Sequence, residues 1–269
     1  MTLTLRSLTR RLRKKVLRQM APQRLFSGHI LVNPVHRVLY LAIPKCANSS
    51  LKSAFIDNLD VPVPSELIAA IPPERLAFSP LQDAAVKDWM AQRQRLVDRN
   101  AVLPGYADYR RIAVLRDPLA RVRSCWKDKI APEPVTDSRF VEGRTKGFLK
   151  FGDLFYAGMS FESFLEAVAQ VPDSEANPHF RSQADFLHDD AGNRLAETFF
   201  FVETLNAGIA AADPEIRACF AGLGQKNIKS GGSPAPEISG KARAILRGRY
   251  AKDYAMLASL GTPLPFDLT

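Results

Sequence analysis

Several features that identify other classes of protein are rare or absent in this sequence. Among 269 residues there are only three cysteines, Cys46, Cys125 and Cys219. Their odd number and wide spacing suit neither a disulfide framework nor a zinc site, so we expect a reducing, cytoplasmic compartment and no bound metal. No apolar run reaches the roughly 18 residues that a membrane-spanning helix requires, and no such helix is predicted.

Acidic residues are too few to balance the basic ones. The 37 lysines and arginines exceed the 28 aspartates and glutamates, which gives a net charge of +9. Such an excess favours an anionic partner: a nucleotide, an acidic polysaccharide, nucleic acid or an anionic bilayer. The hydrophobic content of 46% is ample for a packed core. The length allows one large α/β domain or two small ones, and the motifs described below favour a single domain over residues 26–269.

Residues 1–25 differ in composition from the remainder of the chain. They are strongly basic, and Leu5, Leu8 and Leu12 recur at helical spacing. This pattern predicts a basic amphipathic N-terminal arm. The arm contains no apolar core of signal-peptide length, so secretion is not expected. It either lies on an anionic membrane surface or packs its leucines on the domain, and we favour packing.

A strand, a tight turn and a helix are predicted between residues 36 and 55. The apolar run Val38–Ile43 is typical of a strand that is buried on both faces, as in a parallel sheet. Pro44 ends the run, and Asn48–Ser50 are predicted to cap a helix that continues through Leu51–Phe55. The free backbone N–H groups of such a helix start attract anions, and Lys45 adds a full positive charge.

This turn differs from the glycine-rich phosphate loop of the nucleoside triphosphatases. The pattern GxxxxGK[ST] is absent, because the segment PKCANSSLK contains no glycine. A P-loop-like small-molecule kinase is therefore only the second enzymatic interpretation. Taken alone, the segment is equally compatible with an ordinary strand–turn–helix that carries a surface lysine.

A second strand and helix follow later in the chain. Ile112–Leu115 is a short buried strand, and Arg116 stands at its end. Asp117 is a good N-cap, and Pro118 suits the first helical position. Ser124 lies about two helical turns further on, so Arg116 and Ser124 can reach one anion. The structural alternative is a local ion pair between Arg116 and Asp117 at the helix start.

Together the two stretches resemble the sulfotransferases that use 3′-phosphoadenosine 5′-phosphosulfate (PAPS), in the branch of family 2 that includes carbohydrate sulfotransferases. The residues that carry the resemblance are Pro44–Ser50, which match PK-x-x-x-[ST]-[ST], and Arg116–Ser124, which match R-D-P-x-x-R-x-x-S. Fainter similarity extends from Leu31 to Leu260. The resemblance implies a P-loop-NTPase-like fold, with a central parallel sheet flanked by helices.

The resemblance also implies roles for particular residues. The 5′-phosphosulfate would be bound by Pro44, Lys45, Cys46, Ala47, Asn48, Ser49 and Ser50, the 3′-phosphate by Arg116 and Ser124, and the nucleotide also by Lys226 and Asn227 of a late basic loop. Lys45 would stabilise the transition state and His179 would be the general base, with His36 and Glu203 as rivals. Arg181 and Gln183 are further candidates for contacts to nucleotide or acceptor.

The acceptor implied by the family is a hydroxyl group, on a carbohydrate or a lipid headgroup, and no metal is implied. Cys46-Ala47 departs from the glycine or threonine that the family often has in the first loop. A non-catalytic alternative is a basic protein that binds membranes or nucleic acid. Nucleic acid is not expected, because the chain lacks interleaved surface aromatics and any recognised nucleic-acid-binding motif.

Other segments are assigned to the framework of the domain. Residues 61–105 are predicted as a helical insertion, with a helix over 81–97 and a turn at 103–105. Residues 130–160 are predicted as a substrate loop that helps to line the acceptor site, the alternative being a solvated flexible loop. The remaining predictions are a helix from Ser160 to about Gln170, a strand over Thr198–Val202 and one closing helix over Ser239–Leu260.

Overall fold

The structure is a computed structural model that describes residues 30–73, 80–130, 140–141, 144–223 and 238–261. The predicted basic arm, residues 1–25, lies outside the described residues, and so do Lys226 and Asn227. Within the described part of the chain, no helix is both long and apolar enough to cross a bilayer.

A mixed sheet with a parallel centre forms the middle of the domain. The strands are β1 (Ile30–Asn33), β2 (Val38–Leu41), β3 (Leu96–Val97), β4 (Arg110–Leu115), β5 (Phe140–Val141), β6 (Arg144–Thr145) and β7 (Thr198–Phe201). The main sheet has the order β3-β1-β2-β4-β7, while β5 and β6 form a separate antiparallel pair. Strands β2, β4 and β7 are parallel, and β1 runs antiparallel to both of its neighbours. The predicted α/β fold with a central parallel sheet is thus confirmed.

Helices cover the sheet and extend the domain beyond it. They are α1 (Asn48–Asp57), α2 (Ser65–Ala69), α3 (Ala84–Gln92), α4 (Val102–Tyr106), α5 (Pro118–Lys129), α6 (Phe161–Ala169), α7 (Leu205–Ala211), α8 (Pro214–Cys219), α9 (Gly240–Arg249) and α10 (Ala251–Ser259). Five short 3₁₀ segments occupy Pro80–Gln82, Arg99–Ala101, Lys146–Leu154, Gln183–Phe186 and Val202–Thr204 among the described residues.

The apolar side chains form two clusters. The first covers the sheet, where Tyr40 of β2 meets Phe220 edge-on with a centroid separation of 5.6 Å, and α1 adds Phe55. The second cluster lies between α5, α6 and α9 and contains several aromatic side chains. In it, Phe155 and Phe180 lie 5.5 Å apart between ring centroids. Burial of apolar surface in both clusters is the main favourable contribution to folding.

The predicted helix over 81–97 and turn at 103–105 are wrong in detail. Helix α3 ends at Gln92, and the chain turns through Gln94, whose φ is 56°, into β3. The segment around Pro104 is helical instead of a turn. Proline is tolerated there because the first-turn N–H groups of a helix have no intrahelical partner.

The segment at 146–159 is more compact than a solvated loop. Phe148 and Phe155 are each 1% exposed and belong to the second cluster together with Met159. Aromatic residues spaced three or four apart supply the apolar face that holds this 3₁₀ segment against the domain. The alternative of a solvated flexible loop therefore does not hold for this half of residues 130–160.

The predicted closing helix is in fact two helices, α9 and α10. The helix is interrupted at Tyr250, which is 1% exposed and donates a hydrogen bond from its hydroxyl to the Phe180 carbonyl at 2.8 Å. Ser239 is the N-cap of α9, because its hydroxyl accepts from the Ala242 amide. The predicted helix from Ser160 is confirmed, and Ser160 is its N-cap.

Candidate active site

The two sequence motifs meet at one edge of the sheet. Strands β2 and β4 pair in parallel, with Leu41 opposite Ala113. The residues that follow them therefore leave the sheet at the same edge, where ligands bind in open α/β folds. The guanidinium of Arg116 donates from Nη1 to the carbonyl of Lys45 at 3.1 Å. This contact brings the charged residue of each motif into a single site.

The loop between β2 and α1 has an unusual backbone. Lys45 and Ala47 both have left-handed φ values, 70° and 53°, although neither is glycine. A left-handed residue with a side chain carries strain of about 1 to 2 kcal/mol, and such strain concentrates at functional sites. Alternating conformations of this kind also turn successive backbone N–H groups toward one point, which suits an anion.

The start of α1 differs from the prediction. Ala47 is the N-cap and makes no side-chain capping bond, whereas Asn48–Ser50 form the first turn of the helix. They are therefore not capping residues, and their backbone N–H groups belong to the turn whose donors lack intrahelical partners. Cys46 is 0% exposed, and burial raises the pKa of its thiol to about 12. The Cys46 side chain is therefore part of the core, where its thiol donates to Gln183.

The second motif folds as its sequence predicts. Asp117 caps α5 by accepting from the Ala120 amide at 2.6 Å, and Pro118 is the first helical residue. Arg116 follows β4 directly, and its Nε atom is buried without a hydrogen-bond partner in the described residues. A buried guanidinium donor without a partner is costly in an apolar setting, and an anion such as phosphate would satisfy it. Ser124 is half-buried two turns along α5.

The side chain of Gln183 connects the two motifs through hydrogen bonds to Cys46 and Arg116. Its Oε1 accepts from the Cys46 thiol at 3.2 Å and from the Arg116 amide at 3.0 Å. Its Nε2 donates to the Arg116 carbonyl at 2.9 Å. Fully buried Asp253 supports this segment by accepting from the Ala184 amide at 2.9 Å. Gln183 is therefore a structural bridge rather than a contact to nucleotide or acceptor.

Arg181, the other candidate for such a contact, is buried as well and donates to the Ala176 carbonyl at 2.9 Å.

Lys45 has a partner that the sequence analysis did not identify. Its Nζ lies 2.6 Å from Oδ2 of Asp128 on α5, and Lys129 lies 3.0 Å from the same oxygen. Burial alone would raise the pKa of Asp128, but the two lysines outweigh it and lower that pKa to about 2. Helical spacing places Asp128 on the same face as Ser124, four residues earlier, but its pairing with Lys45 depends on how separate elements pack.

His179 is fixed in one tautomer by its neighbours. Oδ1 of Asn177 accepts from the His179 amide at 3.0 Å and lies 2.7 Å from Nδ1 of the ring. Nδ2 of Asn177 donates to the Gly147 carbonyl, which sets the orientation of the amide. Because Oδ1 can only accept, Nδ1 of His179 carries the hydrogen. Burial lowers the pKa of His179 to about 3, and Lys129 and Lys45 act in the same direction. The neutral ring therefore has its lone pair at Nε2.

Of the two rivals of His179, only Glu203 lies at the same edge of the sheet as Lys45. His36 is in the turn that precedes β2, at the opposite edge of the sheet from Lys45. Glu203 follows β7 and accepts from the Asp117 amide at 3.1 Å, which places it beside Arg116. Its pKa is raised, mainly by burial. Lys45 is among the charges that lower the pKa of His179, whereas the cation acting on the pKa of Glu203 is Arg116, so both residues remain candidate bases.

Neither a metal site nor a second nucleotide site is found among the described residues. No group of three or more side chains there is arranged to hold a metal ion. A cavity of about 820 Å³ is lined by Asp173, Asp185, His188, Asp189 and Asp190 together with Arg99 and Lys252. None of the predicted donor ligands lines it, and its acidic wall is unsuited to a nucleotide anion.

Comparison with known proteins identifies the family of the chain. A model of the sulfotransferase family matches residues 28–212, a range that includes both motifs and His179. No solved structure gives a significant match to the chain. Because the family match covers more than half of the chain, the protein belongs to the sulfotransferase family and is a sulfotransferase, an enzyme of a class that generally takes its sulfuryl group from PAPS.

Proposed function

We propose that the protein transfers a sulfuryl group from PAPS to a hydroxyl of a carbohydrate or a lipid headgroup. The observation that carries the proposal is the hydrogen bond from the Arg116 guanidinium to the Lys45 carbonyl at 3.1 Å. A nucleotide with an anionic group at each end requires two separate cationic sites at a fixed spacing. The paired strand ends supply such sites on a rigid framework.

The residues at the sheet edge suit the chemistry of this donor. Lys45 and the backbone N–H groups of Asn48–Ser50 would hold the 5′-phosphosulfate, since a helix N-terminus and a lysine both attract anions. Arg116 and Ser124 would hold the 3′-phosphate, which would give the buried Nε of Arg116 a partner. When bound, the donor supplies a sulfuryl group activated by its bond to phosphate.

The protein then contributes a base and a charge. Nε2 of His179 accepts the proton of the acceptor hydroxyl, while the oxygen of that hydroxyl forms the new bond to sulfur. The ammonium of Lys45 donates to the phosphate oxygen on which negative charge grows as its bond to sulfur breaks. Lys45 must leave Asp128 for this step. A bound anion would offset the charges of Lys45 and Lys129, and the pKa of His179 would rise toward the range useful for a base.

The segment at 146–156 is proposed to form the acceptor wall. The Gly147 carbonyl accepts from Asn177, and Lys150 donates to the Glu175 carbonyl at 2.6 Å, so this segment is attached beside the loop that carries His179. Tyr156 remains 49% exposed. An exposed aromatic ring next to polar groups suits an amphipathic acceptor such as a sugar, which presents both hydroxyls and apolar C–H faces.

A transfer assay tests the proposed function. Labelled PAPS is incubated with acidic polysaccharides, neutral glycans and glycolipids, using the native protein, Lys45→Ala and Lys127→Ala. Loss of Lys45 should lower the transfer rate by at least about 100-fold, which corresponds to about 3 kcal/mol of transition-state stabilisation. Lys127 is exposed on α5 and provides the control for removal of a lysine.

Ligand binding provides a second, independent readout. Adenosine 3′,5′-bisphosphate should raise the melting temperature of the native protein, because a ligand that binds only the folded state stabilises it. Stabilisation by ATP with Mg²⁺ and none by the bisphosphate would instead support the kinase interpretation. Stabilisation by an oligonucleotide alone would support a nucleic-acid-binding protein.

A further inference from the structure

Arg121 is the largest of the almost completely buried side chains in the described residues. It stands on α5 between the cap and Ser124 and is 1% exposed. A guanidinium remains charged in proteins and carries five N–H donors. Burial of such a charge is strongly unfavourable unless its donors are satisfied. A side chain of this kind in the middle of a binding motif therefore requires an explanation.

Its hydrogen bonds reach two different loops. Nε donates to the Pro44 carbonyl at 2.9 Å, in the loop between β2 and α1. Nη1 donates to the Arg181 carbonyl at 2.6 Å, and Nη2 donates to the Pro178 carbonyl at 3.1 Å. The first loop is 77 residues away from Arg121 in sequence, and the second is about 60 residues away. One planar group thus joins segments that no local structure connects.

The carbonyls that Arg121 contacts flank the two proposed catalytic residues. Pro44 immediately precedes Lys45, and Pro178 immediately precedes His179. The planar guanidinium holds its donors at fixed angles, so three bonds from it determine the separation and the relative orientation of the two loops. Sulfuryl transfer requires the base and the cation on opposite reacting atoms at the same moment, and small displacements of such groups have large effects on rate.

We propose that Arg121 is a positioning residue that sets the distance between Lys45 and His179. It acts through the backbone of the two loops and touches neither donor nor acceptor. This inference rests on the proposed function, since it presupposes that Lys45 and His179 act together. It assigns to the arginine inside the second motif a task distinct from the phosphate binding expected of Arg116 and Ser124.

The principal test is the variant Arg121→Lys, which retains the charge but not the planar fork. We expect kcat to fall by about 100-fold, as for other small misplacements of catalytic groups. The dissociation constant for adenosine 3′,5′-bisphosphate should change by less than about fivefold, because Lys45, Arg116 and Ser124 are all retained. Arg121→Gln keeps two donors without the charge and serves if the lysine variant does not fold.

The matched control is Arg123→Lys on the same helix. Arg123 is 7% exposed, and its guanidinium lies over the Phe161 ring at 5.2 Å, so it faces another part of the fold. The control should retain kcat within about threefold of the native value. Circular dichroism and urea unfolding of every variant establish that the measured protein is folded. A kcat within threefold of the native value in folded Arg121→Lys would overturn the proposal.

A double-mutant cycle with His179→Ala distinguishes positioning from general stabilisation. If Arg121 acts through His179, the loss caused by Arg121→Lys should be much smaller when His179 is already absent. Equal losses in both backgrounds would contradict the proposal. Inactivity of the native protein with labelled PAPS would instead refute the proposed function.

If the native protein is inactive with labelled PAPS, a measurement that does not depend on catalysis still tests the role of Arg121. The chain has four histidines, so nitrogen-15 NMR can assign the His179 ring and its tautomer. The native ring should carry its hydrogen on Nδ1, and Arg121→Lys should shift these signals or average the tautomers, while Arg123→Lys leaves them in place. Unchanged His179 signals in folded Arg121→Lys would show that this arginine does not position the histidine.

Discussion

His179 should make the folded protein less stable in mild acid, and His179→Gln should remove that sensitivity. Burial and the charges of Lys129 and Lys45 lower the pKa of His179 from 6.5 to about 3. The unfolded chain therefore takes up a proton at this position below about pH 6.5, while the folded protein does not. Because the unfolded state binds more protons, the free energy of unfolding decreases as the pH is lowered below about 6.5.

The size of the effect follows from the two pKa values. At pH 5 the unfolded histidine is almost fully protonated and the folded ring, with a pKa of about 3, is almost fully neutral. The linkage relation gives a loss of about 2 kcal/mol between pH 8 and pH 5. Solvent at the partly exposed ring reduces this figure, so we expect a loss between about 1 and 2 kcal/mol.

Urea unfolding at pH 8 and at pH 5 measures the difference directly. On going from pH 8 to pH 5, the native protein should lose about 1 to 2 kcal/mol more unfolding free energy than His179→Gln does. His36→Gln shows whether removal of any histidine gives the same result. A difference that is the same at both pH values would mean that His179 is not held neutral by burial and the nearby lysines, and its proposed role as a neutral base would lose its physical basis.

Two further variants test the residues around Lys45 and Arg116. Asp128→Asn should strengthen binding of adenosine 3′,5′-bisphosphate by about threefold to tenfold, as measured by calorimetry. The reason is that a carboxylate no longer competes for Lys45 or repels the ligand. Weaker binding would mean that Asp128 orients the lysine. Gln183→Leu should lower the free energy of unfolding by about 2 kcal/mol, because it leaves the amide and carbonyl of Arg116 unpaired in the interior. An unchanged urea midpoint would contradict the bridging role of Gln183.

The parts of the site that the sequence predicted are those encoded locally. The buried strands before Pro44 and Arg116, the cap at Asp117 and the helix that follows it each depend on a few adjacent residues. The structure confirms them, although β2 ends at Leu41, before the residue that was predicted to end it. Parallel strands place their ends at one edge, so the convergence of the two motifs followed from the same pattern. The roles of the individual residues in binding PAPS stay predictions.

The contacts that were missed join distant parts of the chain. Gln183 lies 137 residues from Cys46 and 67 from Arg116, and Asp128 lies 83 residues from Lys45. No periodicity or short motif encodes such pairs, because they depend on how separate elements pack. The capping prediction at Asn48–Ser50 failed for another reason. Serine and asparagine favour caps in general, but here the left-handed Ala47 takes that position.

Helix α5 carries three polar side chains of the site on a single face. Arg121, Ser124 and Asp128 are spaced three and four residues apart, so they lie along one side of the helix. In the proposed mechanism they separately set the loop geometry, bind the 3′-phosphate and hold Lys45 before the donor arrives. Because a helix is rigid over this length, a shift of α5 would move all three together. In the proposed mechanism, a displacement of α5 would therefore change the loop geometry, the 3′-phosphate site and the partner of Lys45 at the same time.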